Sequence, residues 1–378
     1  MSFSQKFQAM FTKQLNVGFN VGRGVNPKRR SLLKNTGTLA VSNALGSLVG
    51  LSAVSTFTEV SLAQAADIND SLGSNNKISK NQFAYDPNAQ YPVKVIEVPF
   101  RTNAAGRQLM ARIYRPVMPG SLSNYLTPCI LDLHGGAWNA KDRLAEEPMD
   151  RSLAASGILV VAIDLTLAAE EPYPANVQDA NFGVRWLKKN AHIWGGSSQR
   201  IGVYGSSSGG HVAELLGMRP NDPRYNAYPL EADKAGVDRA GVDKASIDAS
   251  IAYIATRSPI SNPFARYQNA LNLKREKMIL NHTNYFKPWE SIHESNPQEM
   301  LDRAEPVQLL PLLIMQGELD DNMLPSIQEK FAVAYKAHGG VCDYQVFKGA
   351  EHEWVAKEGE QTTLARQYVK SFIAKQLN

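Results

Sequence analysis

The chain has 378 residues, 43% hydrophobic and 20% charged, an ordinary globular composition with enough length to bury a full core. Its formal net charge is +4, but the first 65 residues hold seven basic residues and one acidic residue. The other 33 basic and 35 acidic residues give a charge of −2 to the rest of the chain. The composition therefore gives no support to nucleic-acid binding.

Residues 1–65 have the organisation of an export signal. The basic segment Lys28–Lys34 resembles a twin-arginine signal, and a mildly apolar stretch, Asn35–Thr58, follows it. Ala63–Ala65 then supplies a small-x-small cleavage site. We predict a cleaved leader, a periplasmic or secreted protein, and no membrane span in the mature chain. An uncleaved leader that anchors the protein is the alternative, which the many polar residues of the stretch disfavour.

The mature chain alternates between strand-like and helix-like segments. Helical periodicity marks Val177–Asn190, His211–Leu216 and Thr362–Leu377. Two early strands followed by β-α alternation predict an α/β fold, a mostly parallel sheet with an antiparallel edge and helices on both faces. The predicted strands are Val93–Val98, Leu109–Tyr114, Cys129–Leu133, Ile158–Ile163, Arg200–Tyr204, Ile247–Tyr253, Leu312–Met315 and Tyr344–Phe347.

Two segments interrupt this alternation, and a polar segment precedes it. Residues 66–90 are polar and predict a surface segment ahead of a single globular domain over 91–378. Residues 219–244 contain a five-residue repeat that fits neither a helix nor a strand, and predict a surface insertion. Residues 258–306 are rich in aromatic side chains and predict a cap over a candidate functional site. An ordinary helical excursion that packs on the core is the alternative. The two cysteines, Cys129 and Cys342, are interpreted as buried or free thiols.

A G-x-S-x-G pattern occupies Gly205–Gly209 and is centred on Ser207. An apolar strand precedes it and a helix follows, which is the context that a nucleophile elbow requires. Small neighbours allow the strand and the helix to approach, so the serine hydroxyl is exposed at a tight turn. A Ser/Gly-rich loop would be the alternative if the pattern stood alone.

A glycine loop follows the third predicted strand as His134-Gly135-Gly136. Glycines allow a backbone to approach a substrate closely, so its N–H groups can bind a developing oxyanion. We predict an oxyanion hole formed by the N–H groups of Gly135, Gly136 and Ser208, with a plain Gly-Gly turn as the alternative. His134 is expected to hold the loop by a hydrogen bond.

The acid and the base are expected after the last two strands. Residues 318–321 contain three carboxylates, and we choose Asp320 over its neighbour Asp321, with Glu318 in solvent. His352 follows the final strand and is the predicted base. The order Ser207, Asp320, His352 is the order of an α/β-hydrolase triad. We predict no metal at these acids, since no histidine or cysteine is spaced to join them.

Residues 91–377 resemble the α/β-hydrolase superfamily, and in particular its esterase/lipase branch of hormone-sensitive-lipase-like and feruloyl-esterase-like carboxylesterases. The glycine loop, the elbow and the Asp320 and His352 motifs carry the resemblance. Ala137 and Ser206 depart from it, where relatives often have glycine and an acidic residue. The resemblance implies hydrolysis of a small-molecule carboxylic ester through an acyl-enzyme, without a cofactor. We further predict that Trp138, Phe286 and Trp289 contact the substrate.

Two other functions compete with this prediction. A serine peptidase or amidase of the same fold would usually carry a large additional domain, and none fits here. A non-catalytic binding relative should have lost a member of the triad, whereas all three residues and the oxyanion loop are present. Four motifs in the expected order therefore favour the esterase.

Overall fold

A computed structural model describes residue 83 and residues 85–122, 125–230 and 247–377 of the chain. The predicted export signal, most of the predicted surface segment 66–90 and residues 231–244 of the first insertion lie outside the described residues.

The described part of the chain is built on one eight-stranded sheet in the order β1-β2-β4-β3-β5-β6-β7-β8. β1 and β2 form the antiparallel edge, while β3 to β8 are mutually parallel. This confirms the predicted mostly parallel sheet with an antiparallel edge. The strands are β1 Val93–Thr102, β2 Gln108–Pro116, β3 Cys129–Leu133, β4 Leu159–Ile163, β5 Gly202–Ser206, β6 Tyr253–Arg257, β7 Leu312–Gly317 and β8 Cys342–Phe347.

Helices cover both faces of this sheet. The central strands are buried throughout, so they read as continuous apolar runs and not as alternating ones. The helices are α1 Glu147–Ala155, α2 Ala175–Asn190, α3 Ser208–Met218, α4 Pro263–Asn272, α5 Glu276–Tyr285, α6 Ser291–Glu294, α7 Pro297–Asp302, α8 Pro325–Ala337 and α9 Glu360–Leu377.

Alternate residues of each strand enter two separate apolar cores. In β3, Leu131 and Leu133 face a core shared with α2, α3 and α8, whereas Ile130 faces a core shared with α1 and α9. In β5, Val203 faces the first core and Tyr204 the second. Side chains at the carboxyl ends of the strands can therefore be assigned to one face or the other by counting along each strand.

One strand prediction was wrong. The predicted strand Ile247–Tyr253 is a connection, and β6 begins only at Tyr253. The residues before it, such as Ala249 and Ile251, are buried, so their apolar pattern reflects packing against the core and not strand pairing. Helices α1 and α8 were not predicted, although each carries a proline in its first turn.

The insertion over 258–306 contains the four helices α4 to α7, and several of its side chains join the first core. Residues 219–230, which begin the other insertion, form turns and a loop. Cys129 and Cys342 are both buried free thiols, as predicted, and burial raises the pKa of each to about 12. Among the described residues, no helix combines the length and apolar character needed to cross a membrane.

Candidate active site

Ser207 lies at the turn between β5 and α3, where the sequence places the elbow. Its backbone has φ 51° and ψ −114°, a left-handed conformation that costs an L-residue energy and signals a functional constraint. A Cβ on Gly205 would lie 2.5 Å from the carbonyl oxygen of Gly209, and one on Gly209 would lie 1.9 Å from that of Leu133. Glycine is therefore required on both sides of the serine.

The three predicted triad residues meet at the carboxyl edge of the sheet. Nε2 of His352 lies 2.9 Å from Oγ of Ser207. Nδ1 of the same imidazole lies 2.9 and 3.0 Å from the two carboxylate oxygens of Asp320. Such an arrangement allows the histidine to take the serine proton while the carboxylate fixes its tautomer.

The loop after β7 fixes the Asp320 carboxylate. One oxygen accepts the backbone N–H groups of Asn322 at 2.9 Å and Met323 at 2.8 Å, and the other accepts Nε2 of Gln316 at 3.0 Å. Burial, the largest single cause, would raise the pKa of Asp320, but the hydrogen bond and charge of His352 together with the N–H of Met323 lower it. The carboxylate therefore stays ionised beside the imidazole.

The imidazole of His352 is buried between groups of both signs. Burial is the largest cause that lowers the pKa of His352, and the positive charges of Arg257 and Arg266 lower it further. The hydrogen bond and charge of Asp320 oppose this shift without reversing it. The imidazole is therefore neutral at neutral pH, which is the state that a general base requires.

The glycine loop after β3 lies directly against the elbow. A Cβ on Gly135 would lie 3.3 Å from Cβ of Ser207, and one on Gly136, which has φ 107°, would lie 2.0 Å from the carbonyl oxygen of Ala140. Ser208 is the first residue of α3, where a backbone N–H has no acceptor within the helix. The structure thus brings the three predicted oxyanion residues to the edge where the triad lies.

Histidine side chains fix the shape of this loop, as predicted for His134. Nδ1 of His134 donates to the carbonyl of Gly135 at 2.8 Å, while Nε2 accepts the N–H of Leu165 at 3.2 Å. Burial lowers the pKa of His134, which keeps its imidazole neutral. Nδ1 of His211 accepts the Nε1–H of Trp138, the residue two positions after Gly136, at 3.2 Å.

The predicted substrate contacts lie in two different environments. The ring of Trp138 stacks on Tyr285 at 4.6 Å and meets Phe286 edge-on at 5.2 Å. Trp138 and Phe286 are 3% and 1% exposed, a burial that indicates packing, so their contact with substrate stays a prediction. Trp289 is half-buried and packs on Tyr267 at 4.7 Å.

Sequence reasoning missed a buried ion pair behind the triad. Glu146 and Arg257 are 5% and 3% exposed and lie 3.0 Å apart, and Arg257 donates to the carbonyl of His352. A charged residue at the end of a buried strand is a signal, but the predicted strand ended four residues before Arg257. In the part of the chain that the structure describes, no group of three histidine, cysteine or acidic side chains is placed to hold a metal.

Fold and site together define an α/β-hydrolase of the esterase/lipase branch. The BD-FAE family model matches residues 113–333, more than half of the sequence. The chain therefore belongs to the BD-FAE family.

The chain is also similar to curated esterases. Carboxylesterase NlhH of Mycobacterium tuberculosis is 34% identical over 96 residues, which are 25% of this chain and 30% of that protein. Esterase LipQ of the same organism is 22% identical over 295 residues, 76% of this chain and 63% of that protein. The alignments with the first three relatives span about a quarter to a third of those proteins' length.

Solved structures share the fold. Esterase B from Lactobacillus rhamnosis matches with a TM-score of 0.61 at 16% identity, over 77% of this chain and 88% of that one. Thermogutta terrifontis esterase 2, in a form phosphorylated by paraoxon, matches with a TM-score of 0.54 at 18% identity, over 75% and 94% of the two chains. At these identities the similarity concerns the fold alone.

Proposed function

We propose that this protein is a serine carboxylic-ester hydrolase in which Ser207 is the nucleophile, His352 the general base and Asp320 the residue that orients it. The observation that carries the proposal is the unbroken hydrogen-bond chain from Oγ of Ser207 through the imidazole to the carboxylate. Membership of the BD-FAE family and similarity to curated esterases support it.

In the acylation step, Oγ of Ser207 attacks the ester carbonyl and its proton passes to Nε2 of His352. The carbonyl oxygen becomes an oxyanion, which the N–H groups of Gly135, Gly136 and Ser208 stabilise. The tetrahedral intermediate collapses when His352 returns the proton to the leaving alcohol. The products of this step are the alcohol and an acyl-enzyme on Ser207.

Deacylation repeats these steps with water as the nucleophile. Nε2 of His352 takes a proton from the water, which attacks the acyl carbon and forms a second tetrahedral intermediate. The proton then returns to Oγ of Ser207 as the carboxylic acid leaves. Throughout, the Asp320 carboxylate stabilises the imidazolium and keeps Nδ1 protonated, so that Nε2 remains the proton carrier.

The substrate class is tested with p-nitrophenyl esters of rising acyl length, assayed beside a peptide p-nitroanilide. We expect turnover of the esters and little or none of the anilide. Faster cleavage of the anilide would indicate the peptidase or amidase. Tight binding without turnover of any ester would indicate a non-catalytic relative.

We also propose export through residues 1–65, with Arg29 and Arg30 as the recognised pair. The order of basic segment, apolar stretch and Ala63–Ala65 cleavage site supports this. Replacing both arginines by lysine should trap the precursor inside the cell, as measured by fractionation and immunoblotting. An unchanged yield of exported protein would reject the twin-arginine signal.

A further inference from the structure

A buried polar layer lies under the elbow, on the face of the sheet that packs against α1 and α9. It contains one residue from each of three strands: Asp132 of β3, Ser206 of β5 and Arg257 of β6. Each lies two positions after a residue of the second core, namely Ile130, Tyr204 and Ala255, and therefore faces the same side of the sheet. The three polar residues are 1%, 0% and 3% exposed. Ser206 and Arg257 are also direct register partners across β5 and β6.

Glu146 joins this layer from the residue that precedes α1. Its Oε1 accepts the hydroxyl of Ser206 at 2.5 Å and Nη2 of Arg257 at 3.0 Å. Nη1 of Arg257 donates to the backbone carbonyl of His352 at 2.5 Å. The backbone carbonyl of Arg257 accepts the N–H of Ser207 at 2.8 Å. One ion pair therefore contacts the residue before the nucleophile, the nucleophile itself and the base.

A buried ion pair of this kind is weak evidence for a contribution to stability, because desolvation offsets the attraction between the charges. Its contacts indicate instead a role in positioning the reacting groups. We propose that Arg257 and Glu146 are positioning residues for the hydrolysis, which link the strand end that carries Ser207 to the loop that carries His352. The inference rests on the proposed function, since it assigns the link to the same reaction.

The charge of Arg257 gives the proposal a specific readout. The charged groups that face His352 are Asp320, Arg257, Arg266 and Glu353, the last of which follows His352 in the chain. Two of these are cations that disfavour the imidazolium. Removal of the Arg257 charge should therefore move the acid limb of kcat/KM to higher pH, whereas a loss of packing alone would leave that limb in place.

Arg257→Met, Arg257→Lys and a matched control are compared on one p-nitrophenyl ester. The control is Arg101→Met, since Arg101 forms a similarly buried pair with Asp179 at 2.9 Å and lies on β1, at the far edge of the sheet. Arg257→Met should lower kcat about 10²-fold with KM unchanged, the cost of misplacing a reacting group by about 1 Å. Its acid limb should move to higher pH.

Arg257→Lys keeps a cation but loses the rigid fork that spans Glu146 and His352. It should lower kcat less and leave the acid limb at the wild-type pH, while Arg101→Met should change neither. A wild-type kcat in either folded Arg257 variant, or an equal loss in Arg101→Met, would overturn the proposal. If Arg257→Met does not fold, Arg257→Lys decides.

If neither variant folds, Ser206→Ala decides, because it removes only the hydroxyl that connects β5 to Glu146. A lower kcat with unchanged KM supports the proposal, and a wild-type kcat overturns it. The wild-type protein separates this inference from the function on which it rests. If it hydrolyses no ester and Ser207 takes no phosphonate label, both fall. An active wild type with unaffected variants rejects the positioning role alone.

Discussion

The Asp320 carboxylate lies 2.9 Å from Nδ1 of His352 and is almost fully buried. The carboxylate of its chain neighbour, Asp321, points the other way and pairs with Arg275 at 2.6 Å, with 74% of its side chain exposed. Glu318 is also exposed and accepts the N–H of Gly349 at 2.8 Å. The geometry therefore separates three acids that the sequence places within four residues of one another.

Asp320→Asn should cripple the enzyme, because an amide cannot hold the imidazole in the tautomer that accepts the serine proton. We expect a loss of kcat on the order of 10⁴-fold. Asp321→Asn is the matched control and should be nearly silent, since it removes one exposed ion pair. Steady-state kinetics on a p-nitrophenyl ester provide the measurement. A mild Asp320→Asn beside a severe Asp321→Asn would move the role to Asp321.

The rate of ester hydrolysis should fall at low pH as His352 gains a proton. Burial and two nearby arginines lower the pKa of His352, so the acid limb of kcat/KM should lie below the unperturbed value of about 6.5. Activity is then complete above that limb and is lost as pH falls through it. The profile is measured between pH 4 and 8, with samples returned to neutral pH to show reversibility. A limb above the unperturbed value would mean that Asp320 dominates.

Stability should also depend on pH through His211. Burial lowers the pKa of His211 to about 4, against about 6.5 in an unfolded chain. Between these values the unfolded state binds the proton and the folded state does not, so stability falls as pH decreases, by about 1.4 kcal/mol per unit.

His211→Gln tests this dependence, because glutamine can accept from Trp138 and donate to the carbonyl of Ser295 as the neutral imidazole does. Urea unfolding of both proteins at pH 7 and pH 5 should show a smaller loss of stability in the variant. Identical losses in the two proteins would exclude His211 as the source.

The elements predicted most accurately are those whose apolar residue pattern has a single physical cause. The run Cys129–Leu133 is apolar at four of five positions because it forms a central strand covered on both faces. The run Ile247–Tyr253 looks similar, but its apolar residues pack against the core from a connection. A buried connection and a paired strand therefore show similar apolar patterns in the sequence. Only the hydrogen-bonded neighbouring strands in the structure distinguish the two.

The candidate site was predictable for a different reason. Ser207, Asp320 and His352 each follow a strand of one sheet, and the carboxyl ends of parallel strands meet at one edge, so chain order was enough. The link through Glu146 and Arg257 was not predictable, because it depends on which face of the sheet each strand end presents. When a predicted strand boundary is wrong by a few residues, the sequence no longer predicts on which face the last residue of the strand lies.

Trp289 should influence substrate preference more than stability. Its ring is half-buried on Tyr267, at the surface of the insertion over 258–306, whereas Phe286 is 1% exposed. Trp289→Ala should change the ratio of kcat/KM between short and long acyl chains with little change in Tm. Phe286→Ala removes a fully buried ring and should also cost about 3–5 kcal/mol of stability. An equal loss on every ester with a large fall in Tm would assign Trp289 to packing as well.

Ser207 should be the residue that forms the acyl-enzyme, and the run of three serines provides its own controls. The Ser206 hydroxyl donates to Glu146, and that of Ser208 accepts the N–H of Trp138 at 3.1 Å. Ser207→Ala should therefore abolish labelling by an organophosphonate and leave only residual turnover. Ser206→Ala and Ser208→Ala should still take the label, because both keep Ser207 and every backbone N–H. Peptide mapping by mass spectrometry that places the adduct on either neighbour would overturn the assignment and the mechanism built on it.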